Sequence, residues 1–371
     1  MTGIEAVLLL GCAHGIALAA VLRRSPRNRR ANRYLAILLG ALSLLLAEGF
    51  VATHGWLTTY PHLIGLTAWV PFLIGPLVFL YVREMTSREP VHEPWWKHFV
   101  VTAGFVALLA TTFFPRSAAF KLAIANGDVP WTFDVMTAFL LVYGMAYAVA
   151  ALVRLHRHRA VVQTLYSNLA GVSLRWLFVL VVLDTLVWIV ALVIFVLGVT
   201  QSLAVPIGST VTIFVIGYFQ LGQGEIFVAT PAPAPAPAPA LPEPAAPVPA
   251  PYHKAKLAED DASGLEARMR AAMTDDHLYQ RAGLTLAELA DAVAATTHEV
   301  SQVLSTRLGS NFYAFVNEHR VEHVKRGLAD SDKPVLDLAF EAGFQSKSTF
   351  NAAFRKHTGV TPREFRQRLG R

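Results

Sequence analysis

The amino-acid sequence predicts an all-α protein in two parts, a bundle of seven membrane-spanning helices and a soluble all-helical domain. Three observations support this fold class. Long apolar stretches fill residues 1–229, an alternating proline and alanine tract occupies 230–251, and helix-start signals recur among charged residues over 252–371. The chain is 54% hydrophobic and only 16% charged, which is too apolar for an ordinary soluble enzyme.

Seven apolar stretches are long enough to cross a bilayer, whose hydrocarbon core requires roughly 20 apolar residues of helix. We place the predicted spans at 4–22, 34–54, 63–82, 98–114, 134–153, 176–198 and 203–221. In the third span, Pro71 and Pro76 flank Gly75. A helix broken there would free carbonyl groups that could line a cavity; the alternative is that the prolines merely kink the helix.

The distribution of basic residues predicts which ends of the spans face the cytoplasm. No basic residue precedes the first span and six arginines follow it, so this span is not a cleaved signal peptide. The loops after the first, third and fifth spans carry 13 Lys and Arg residues, against two in the loops after the second, fourth and sixth. Because cytoplasmic loops are enriched in Lys and Arg, this bias predicts an N-terminus outside and a C-terminal domain in the cytoplasm.

A few polar side chains lie inside the predicted spans, where an ionisable group is costly and a functional role is the default expectation. His14, Glu48 and Asp184 are therefore candidate signal-sensing residues. The alternative is that they hydrogen-bond neighbouring helices and only fix the packing of the bundle.

The sequence also argues against several cofactors. The single cysteine, Cys12, excludes an internal disulfide and a multi-cysteine zinc site. No predicted span contains a lysine, so the seven spans cannot hold retinal through a Schiff base. We therefore expect no cofactor and no metal.

The tract at 230–251 predicts an extended linker. Ten of its 22 residues are proline, so it cannot form a helix or a sheet and adopts polyproline II, which rises roughly 3.1 Å per residue. Its reach is therefore at most about 70 Å. Such a spacer lets the soluble domain work at a distance from the membrane.

Helix starts and stops can be read directly from the sequence of the soluble part. The stretches 285–288, 296–299 and 361–364 each place Thr three residues before Glu, which predicts capping boxes. Proline at the first helical position strengthens the third one. Four glycines fall where helices should end, namely Gly283, Gly309, Gly343 and Gly359.

These signals form an internal repeat. The apolar pattern of one helix recurs after 49 residues and that of the next after 50, so that Leu289 corresponds to Leu338 and Leu304 to Phe354. A helix over 311–328 with its own apolar stripe joins the two units. The repeat predicts two helix-turn-helix units bridged by one long helix. Successive major-groove faces of DNA lie about 34 Å apart, so one chain could engage both.

Residues 268–369 resemble the C-terminal DNA-binding domain of the AraC/XylS family of bacterial transcription regulators. The resemblance is strongest in one run of residues. These are Gly343, Phe344, Phe350, Phe354, Arg355, Lys356, Gly359, Thr361, Pro362, Phe365 and Arg366. The resemblance implies sequence-specific binding to promoter DNA, without enzymatic activity, in a bacterial cell.

The resemblance also implies which residues face the DNA. The expected base contacts are His298, Ser301, Gln302, Lys347, Ser348, Thr349 and Asn351. The expected phosphate contacts are Arg307, Arg355, Lys356, Arg363 and Arg366, since basic residues suit phosphates. Ala352 departs from the family, which often has arginine at this position.

The sequence as a whole indicates a one-component transcription regulator in the bacterial inner membrane, controlled by a signal that its membrane part senses. The expected partners are double-stranded promoter DNA, the lipid bilayer, RNA polymerase, a small-molecule or protein signal, and a second copy of the chain in a homodimer. One alternative is a membrane transporter or enzyme whose DNA-binding tail regulates its own gene. Another is a protein that only tethers DNA to the membrane.

Overall fold

The computed structural model describes residues 2–26, 28–87, 94–167, 174–199, 203–222 and 259–369. In these ranges the chain forms helices and no β-strand. One isolated antiparallel bridge joins Tyr166 and Thr285. The predicted all-α class is confirmed for this part of the chain. The predicted linker at 230–251 lies outside the described residues.

The chain divides into two compact units. The first unit comprises residues 1–158 and 174–224, and the second comprises 159–173 and 225–371. Residues 159–167, which the sequence groups with the membrane part, thus belong to the second unit. This grouping is a property of the tertiary structure that the hydropathy pattern does not predict.

The first unit contains nine α-helices within the described residues. They are α1 (Gly3–Arg24), α2 (Arg29–Thr53), α3 (Trp56–Thr59), α4 (Pro71–Thr86), α5 (Val100–Thr112), α6 (Ala118–Ala125), α7 (Trp131–Leu165), α8 (Arg175–Val196) and α9 (Ala204–Gly222). Short 3₁₀ turns occur at Pro61–Leu63 and Trp95–Phe99. The last turns of α7, beyond residue 158, belong to the second unit.

Within the described residues, four helices are long and apolar enough to cross a membrane: α1, α2, α7 and α8. The apolar part of α9 is shorter. The predicted spans at 63–82 and 98–114 differ most from the structure, since α4 has 16 residues and α5 has 13. Pro71 starts α4 at its first position, because a proline ring clashes with a preceding helical turn. Hydropathy alone extended this span into the turns before it.

The core of the first unit lies among α1, α2, α4, α8 and α9. Leu35 and Leu39 of α2 are fully buried, and so are Tyr81 of α4 and Leu177 of α8. Pro76 lies inside α4, whose helix continues through it to Thr86. The prolines of the third predicted span therefore start the helix and lie within it, and do not end it.

The second unit consists of shorter, capped helices. They are α10 (Glu259–Thr274), α11 (Leu286–Ala292), α12 (Thr297–Thr306), α13 (Phe312–Asp330), α14 (Val335–Glu341), α15 (Lys347–Thr358) and α16 (Pro362–Arg368). A 3₁₀ turn lies at Leu278–Gln280. α14 begins 49 residues after α11, and α15 begins 50 residues after α12, in line with the predicted repeat.

All three predicted capping boxes are confirmed. In each, the threonine hydroxyl accepts a hydrogen bond from the backbone N–H three residues on, and the glutamate accepts one from the threonine N–H. These bonds satisfy N–H groups that have no partner within the helix. The four predicted stop glycines all have positive φ, from 56° at Gly309 to 90° at Gly343, a region that favours glycine.

Two apolar cores share the long helix α13. Phe312, Phe315 and Val316 from its first half pack with α10, α11 and α12. Val321 and Val324 from its second half pack with α14 and α15. The helix is thus the common support of the two helix pairs α11–α12 and α14–α15.

We expect Gly343→Ala to destabilise the second unit more than Gly359→Ala does. A Cβ at Gly343 would lie 2.7 Å from the carbonyl oxygens of Tyr279 and Gln280, whereas nothing lies within 4 Å of one at Gly359. Both positions have positive φ. Gly359→Ala is therefore the control, because it introduces the backbone strain without the steric contact. The expected losses are about 2–4 kcal/mol for Gly343→Ala and about 1–2 kcal/mol for Gly359→Ala.

Urea unfolding of the full-length protein in detergent, monitored by amide exchange in α13, would measure the loss of unfolding free energy in both variants. Equal losses would show that the contact with the two carbonyl groups does not constrain position 343.

Candidate nucleic-acid interface

The helix α12 presents polar side chains on one face because its other face is anchored in the core. Val300, Val303 and Leu304 are buried. His298 is exposed, and Ser301 and Gln302 are half-buried. The three predicted base-contacting residues of this helix therefore lie away from its buried stripe, where a partner could reach them.

The helix α15 is organised in the same way. Its N-cap Ser346 accepts a hydrogen bond from the Thr349 N–H, and Phe350 and Phe354 are buried. Lys347, Ser348 and Asn351 are exposed on its outer face.

Thr349 differs from the other predicted base contacts. Only 6% of it is exposed, and Ser346 Oγ donates to its hydroxyl at 2.9 Å. Thr349, the third residue of α15, faces the core because it lies beside the buried Phe350 and Ala353. Lys347, Ser348 and Asn351 are thus better placed than Thr349 to meet a base edge.

The predicted phosphate contacts fall into two groups. Arg355, Lys356 and Arg363 are exposed on α15 and α16. Arg307 and Arg366 are engaged within the protein: Arg307 Nε lies 2.9 Å from Glu266 Oε2, and Arg366 Nη2 donates to the Lys333 carbonyl. Arg307 and Arg366 could contact a phosphate only by sharing or leaving these partners.

The acids near this surface are occupied by local bonds. Glu364, the acid of α16, accepts a hydrogen bond from the Thr361 N–H at 2.8 Å, and this bond lowers the pKa of Glu364. Glu266 is likewise held by Arg307 and Arg270, which lower its pKa. The sequence from 344 to 371 holds seven Lys and Arg residues and this single acid, so the surface of α15 and α16 suits an anionic polymer.

Arg320 is a residue that the site prediction missed. It lies in the middle of α13 and is 1% exposed. Nε donates to the Tyr279 carbonyl at 2.8 Å and Nη2 to the Arg281 carbonyl at 2.9 Å. Burial lowers the pKa of Arg320 to about 10, so it stays charged at neutral pH. Its position between Val316 and Val324 on the apolar stripe was the signal for burial.

The three candidate sensing residues have separate surroundings in the first unit. The His14 ring stacks on Phe214 with centroids 4.6 Å apart. Glu48 accepts a hydrogen bond from the Thr67 hydroxyl. Asp184 is buried, and its Oδ2 has no hydrogen-bond partner among the described residues. A sensing role for any of them stays a prediction.

An apolar cavity of about 170 Å³ lies elsewhere in the first unit. Phe72, Phe105, Leu109, Phe113 and Met136 are among its lining residues. None of the candidate sensing residues lines it.

Comparison with known proteins places a domain family over most of the second unit. A sequence profile described as "Helix-turn-helix domain" matches residues 289–368. An uncharacterised HTH-type transcriptional regulator of Staphylococcus aureus (strain COL) is 33% identical over 89 residues, which are 24% of this chain and 12% of that protein. The melibiose operon regulatory protein of Escherichia coli (strain K12) is 30% identical over 84 residues, which are 23% of this chain and 28% of that protein.

The similarity stops well short of whole proteins. The chain spans between 12% and 28% of the length of these two curated relatives. A solved structure of a protein of unknown function from Listeria innocua covers 28% of this chain and 94% of its own, with 22% identity and a TM-score of 0.25. Residues 289–368 thus match a helix-turn-helix domain, and similar stretches occur in an HTH-type transcriptional regulator and in an operon regulatory protein.

We expect phosphate and base contacts to separate by their salt dependence. Arg355→Ala and Lys356→Ala should each weaken binding to all DNA sequences and reduce the slope of log affinity against log salt by about one. Asn351→Ala should leave that slope unchanged and cost about 1–3 kcal/mol at one base pair of the preferred site. Fluorescence anisotropy with labelled DNA at several salt concentrations would measure both effects.

Lys325→Ala is the matched control for loss of one positive charge. Lys325 lies on α13 outside the predicted contacts and pairs with Glu322 at 2.6 Å. A slope change in Lys325→Ala as large as that in Arg355→Ala would contradict the assignment of phosphate contacts to α15 and α16.

We also expect α12 to lose stability at acid pH through its capping box. Hydrogen bonds from Thr296 lower the pKa of Glu299. The ionised form therefore stabilises the fold above the pKa of a free glutamate, about 4.3, and this contribution is lost as pH falls through the lower, folded-state pKa. Glu299→Gln keeps a capping side chain that does not titrate, so its α12 should be less sensitive to acid.

Amide protection of α12 in the full-length protein between about pH 5 and about pH 3 would measure this difference. Glu318→Gln, at an exposed position of α13, is the control. If Glu299→Gln and the unaltered protein lost protection in parallel, the cap would not be the acid-sensitive element.

Proposed function

We propose that the chain is a membrane-bound one-component transcription regulator that binds promoter DNA and responds to a signal received by its apolar unit. The observation that carries the proposal is a combination within one chain. Four helices are long and apolar enough to cross a bilayer, and residues 289–368 match a helix-turn-helix domain. The similarity to transcriptional regulators supports the DNA-binding half of the proposal.

The DNA-binding half uses two helix-turn-helix units, α11–α12 and α14–α15. In each, the second helix exposes polar side chains and buries an apolar stripe. We assign base reading to His298, Ser301 and Gln302 on α12 and to Lys347, Ser348 and Asn351 on α15. Glutamine and asparagine can each form two hydrogen bonds with adenine, and lysine can hydrogen-bond guanine. The basic residues of α15 and α16 would fix the register on the phosphates.

We infer that the protein lies in the bacterial inner membrane. The excess of Lys and Arg in alternate loops supports an outside N-terminus and a cytoplasmic C-terminal domain. The curated relatives named above are bacterial proteins. With seven spans, the shorter apolar helices α4, α5 and α9 would also cross the bilayer, and a hydrophobic length below the membrane thickness is tolerated at modest cost.

Control by a signal requires two states of the first unit that bind the signal unequally. The extended linker that the sequence predicts at 230–251 would transmit torque poorly, so we assign control to a change of dimer state. Two domains held together raise their effective concentration at paired DNA half-sites. Contact with RNA polymerase would then convert occupancy of the promoter into a change in transcription.

A second candidate function is a transporter or enzyme whose DNA-binding tail regulates its own gene. The buried Asp184, whose Oδ2 has no hydrogen-bond partner among the described residues, favours it, because intramembrane acids mark substrate and proton paths. Asp184→Asn would abolish transport in that case. In a pure sensor it would alter only the signal response.

Chromatin immunoprecipitation of the full-length protein would test the proposed function. We expect discrete promoter peaks that disappear when Gln302, Lys347 and Asn351 are all changed to alanine, because the base contacts are lost while the core is kept. A triple variant with Lys325, Gln367 and Glu318 changed to alanine is the control, since these residues lie outside the predicted base contacts. If the peaks persisted in the first triple variant, the assignment of base reading to α12 and α15 would be wrong.

A further inference from the structure

A short segment that follows the long apolar helix packs within the second unit. Residues 165–167, which we call the docking segment, contain the end of α7 and the two residues after it. Leu165 packs against the core of α10, α11 and α12. Tyr166 forms an antiparallel bridge with Thr285, the N-cap of α11. Ser167 is fully buried, and its N–H and hydroxyl both donate to the Leu284 carbonyl, at 3.1 and 2.6 Å.

The docking segment also completes the hydrogen bonds of the buried Arg320. Nη1 of Arg320 donates to the Ser167 carbonyl at 3.3 Å, and Nη2 donates to the Ser167 hydroxyl at 3.3 Å. Asn317 Nδ2 donates to the same carbonyl at 3.4 Å. A guanidinium has five N–H donors and no acceptor, and buried donors need partners. One serine from a distant part of the chain therefore supplies two acceptors to this cation.

Arg320 lies where the two helix pairs meet. Its guanidinium carbon lies 5.7 Å from the centre of the Phe344 ring, which belongs to the core of the second pair. Its bonds to Tyr279 and Arg281 hold the turn that leads into the first pair. The close approach of Gly343 to the Tyr279 carbonyl marks the same junction. The hydrogen bonds of Arg320 thus bear on the relative position of α12 and α15.

We propose that the docking segment is a regulatory contact that sets the DNA affinity of the C-terminal domain. When docked, it completes the hydrogen bonds of Arg320 and holds the two helix pairs at the spacing that two-unit binding requires. When released, the pairs gain freedom that DNA binding must remove, and a less preorganised site binds more weakly. This inference rests on the proposed function and adds a second route of control to the dimerisation route.

The connection to the membrane part runs through α7. This helix is continuous from Trp131 to Leu165, and it is one of the four that could cross a bilayer. A helix with unbroken hydrogen bonds transmits a shift or rotation along its length, unlike an extended polyproline chain. A signal that displaces α7 would therefore act on the docking segment directly.

A reversible cross-link tests the docking and its consequence in the same sample. Tyr166→Cys with Thr285→Cys places two cysteines at paired positions of an antiparallel bridge, within reach of a disulfide. The native cysteine is removed by Cys12→Ser. The full-length protein in lipid nanodiscs should cross-link on oxidation. Its dissociation constant for the promoter fragment most enriched by immunoprecipitation should fall about three- to tenfold relative to the reduced sample.

The matched control moves one cysteine along the same segment. Thr164 is exposed, and its hydroxyl bonds only its own helix, at the Val161 carbonyl. The pair Thr164→Cys with Thr285→Cys should cross-link far less. Each single-cysteine variant should show no redox effect on DNA binding.

A second variant releases the segment without altering residues 259–369. Ser167→Tyr places a large side chain at a buried position, so the segment cannot dock. We expect DNA binding about three- to tenfold weaker, together with faster amide exchange around Arg320. Thr164→Tyr, at the exposed position, should behave as the unaltered protein.

The outcomes separate the docking, its regulatory role and the proposed function. Equal cross-linking of the two cysteine pairs would overturn the docking. A cross-link that forms without tightening DNA binding would overturn the regulatory role. If the unaltered protein bound no promoter fragment at all, the proposed function would fail and the regulatory role with it, while the cross-link yield would still report the docking.

Discussion

The second unit depends on the burial of one cation, the Arg320 guanidinium, which bonds several separate parts of the chain. The Arg320 guanidinium has left water, and the free energy of desolvating a charge must be offset by hydrogen bonds of good geometry. Its acceptors come from the 3₁₀ turn before α11, from Asn317 on its own helix and from Ser167. Removing a partner from a buried charge typically costs about 3–5 kcal/mol. Three separated pieces of the chain are therefore held at one point.

This arrangement explains why the two helix pairs form a single unit. Each pair has its own small apolar core, and a pair of helices this short would be marginal alone. α13 contributes to both cores, and Arg320 lies between its two halves. The directional hydrogen bonds of Arg320 fix the relative orientation of the two helix pairs more narrowly than apolar packing alone does. For a protein proposed to read two faces of DNA, that relation decides which half-site spacing it binds.

The first unit differs from the second in that its helices expose many large apolar side chains. Leu10, Val142 and Val196 are among the most exposed, as expected of surfaces that face lipid in the proposed membrane location. The hydropathy pattern therefore locates its helices but carries little information about their contacts.

The sequence by itself determined the all-α class, the three capping boxes, the glycines at helix ends and the 49- and 50-residue offsets. These features depend on interactions within about four residues or on simple periodicity. Only the tertiary structure decided the inward position of Thr349 and the role of Arg320. It also placed Ser167 beside Leu284 and Arg320, which are 117 and 153 positions away in sequence. No local pattern encodes such a contact, because it depends on where the whole chain brings a buried donor and its acceptor.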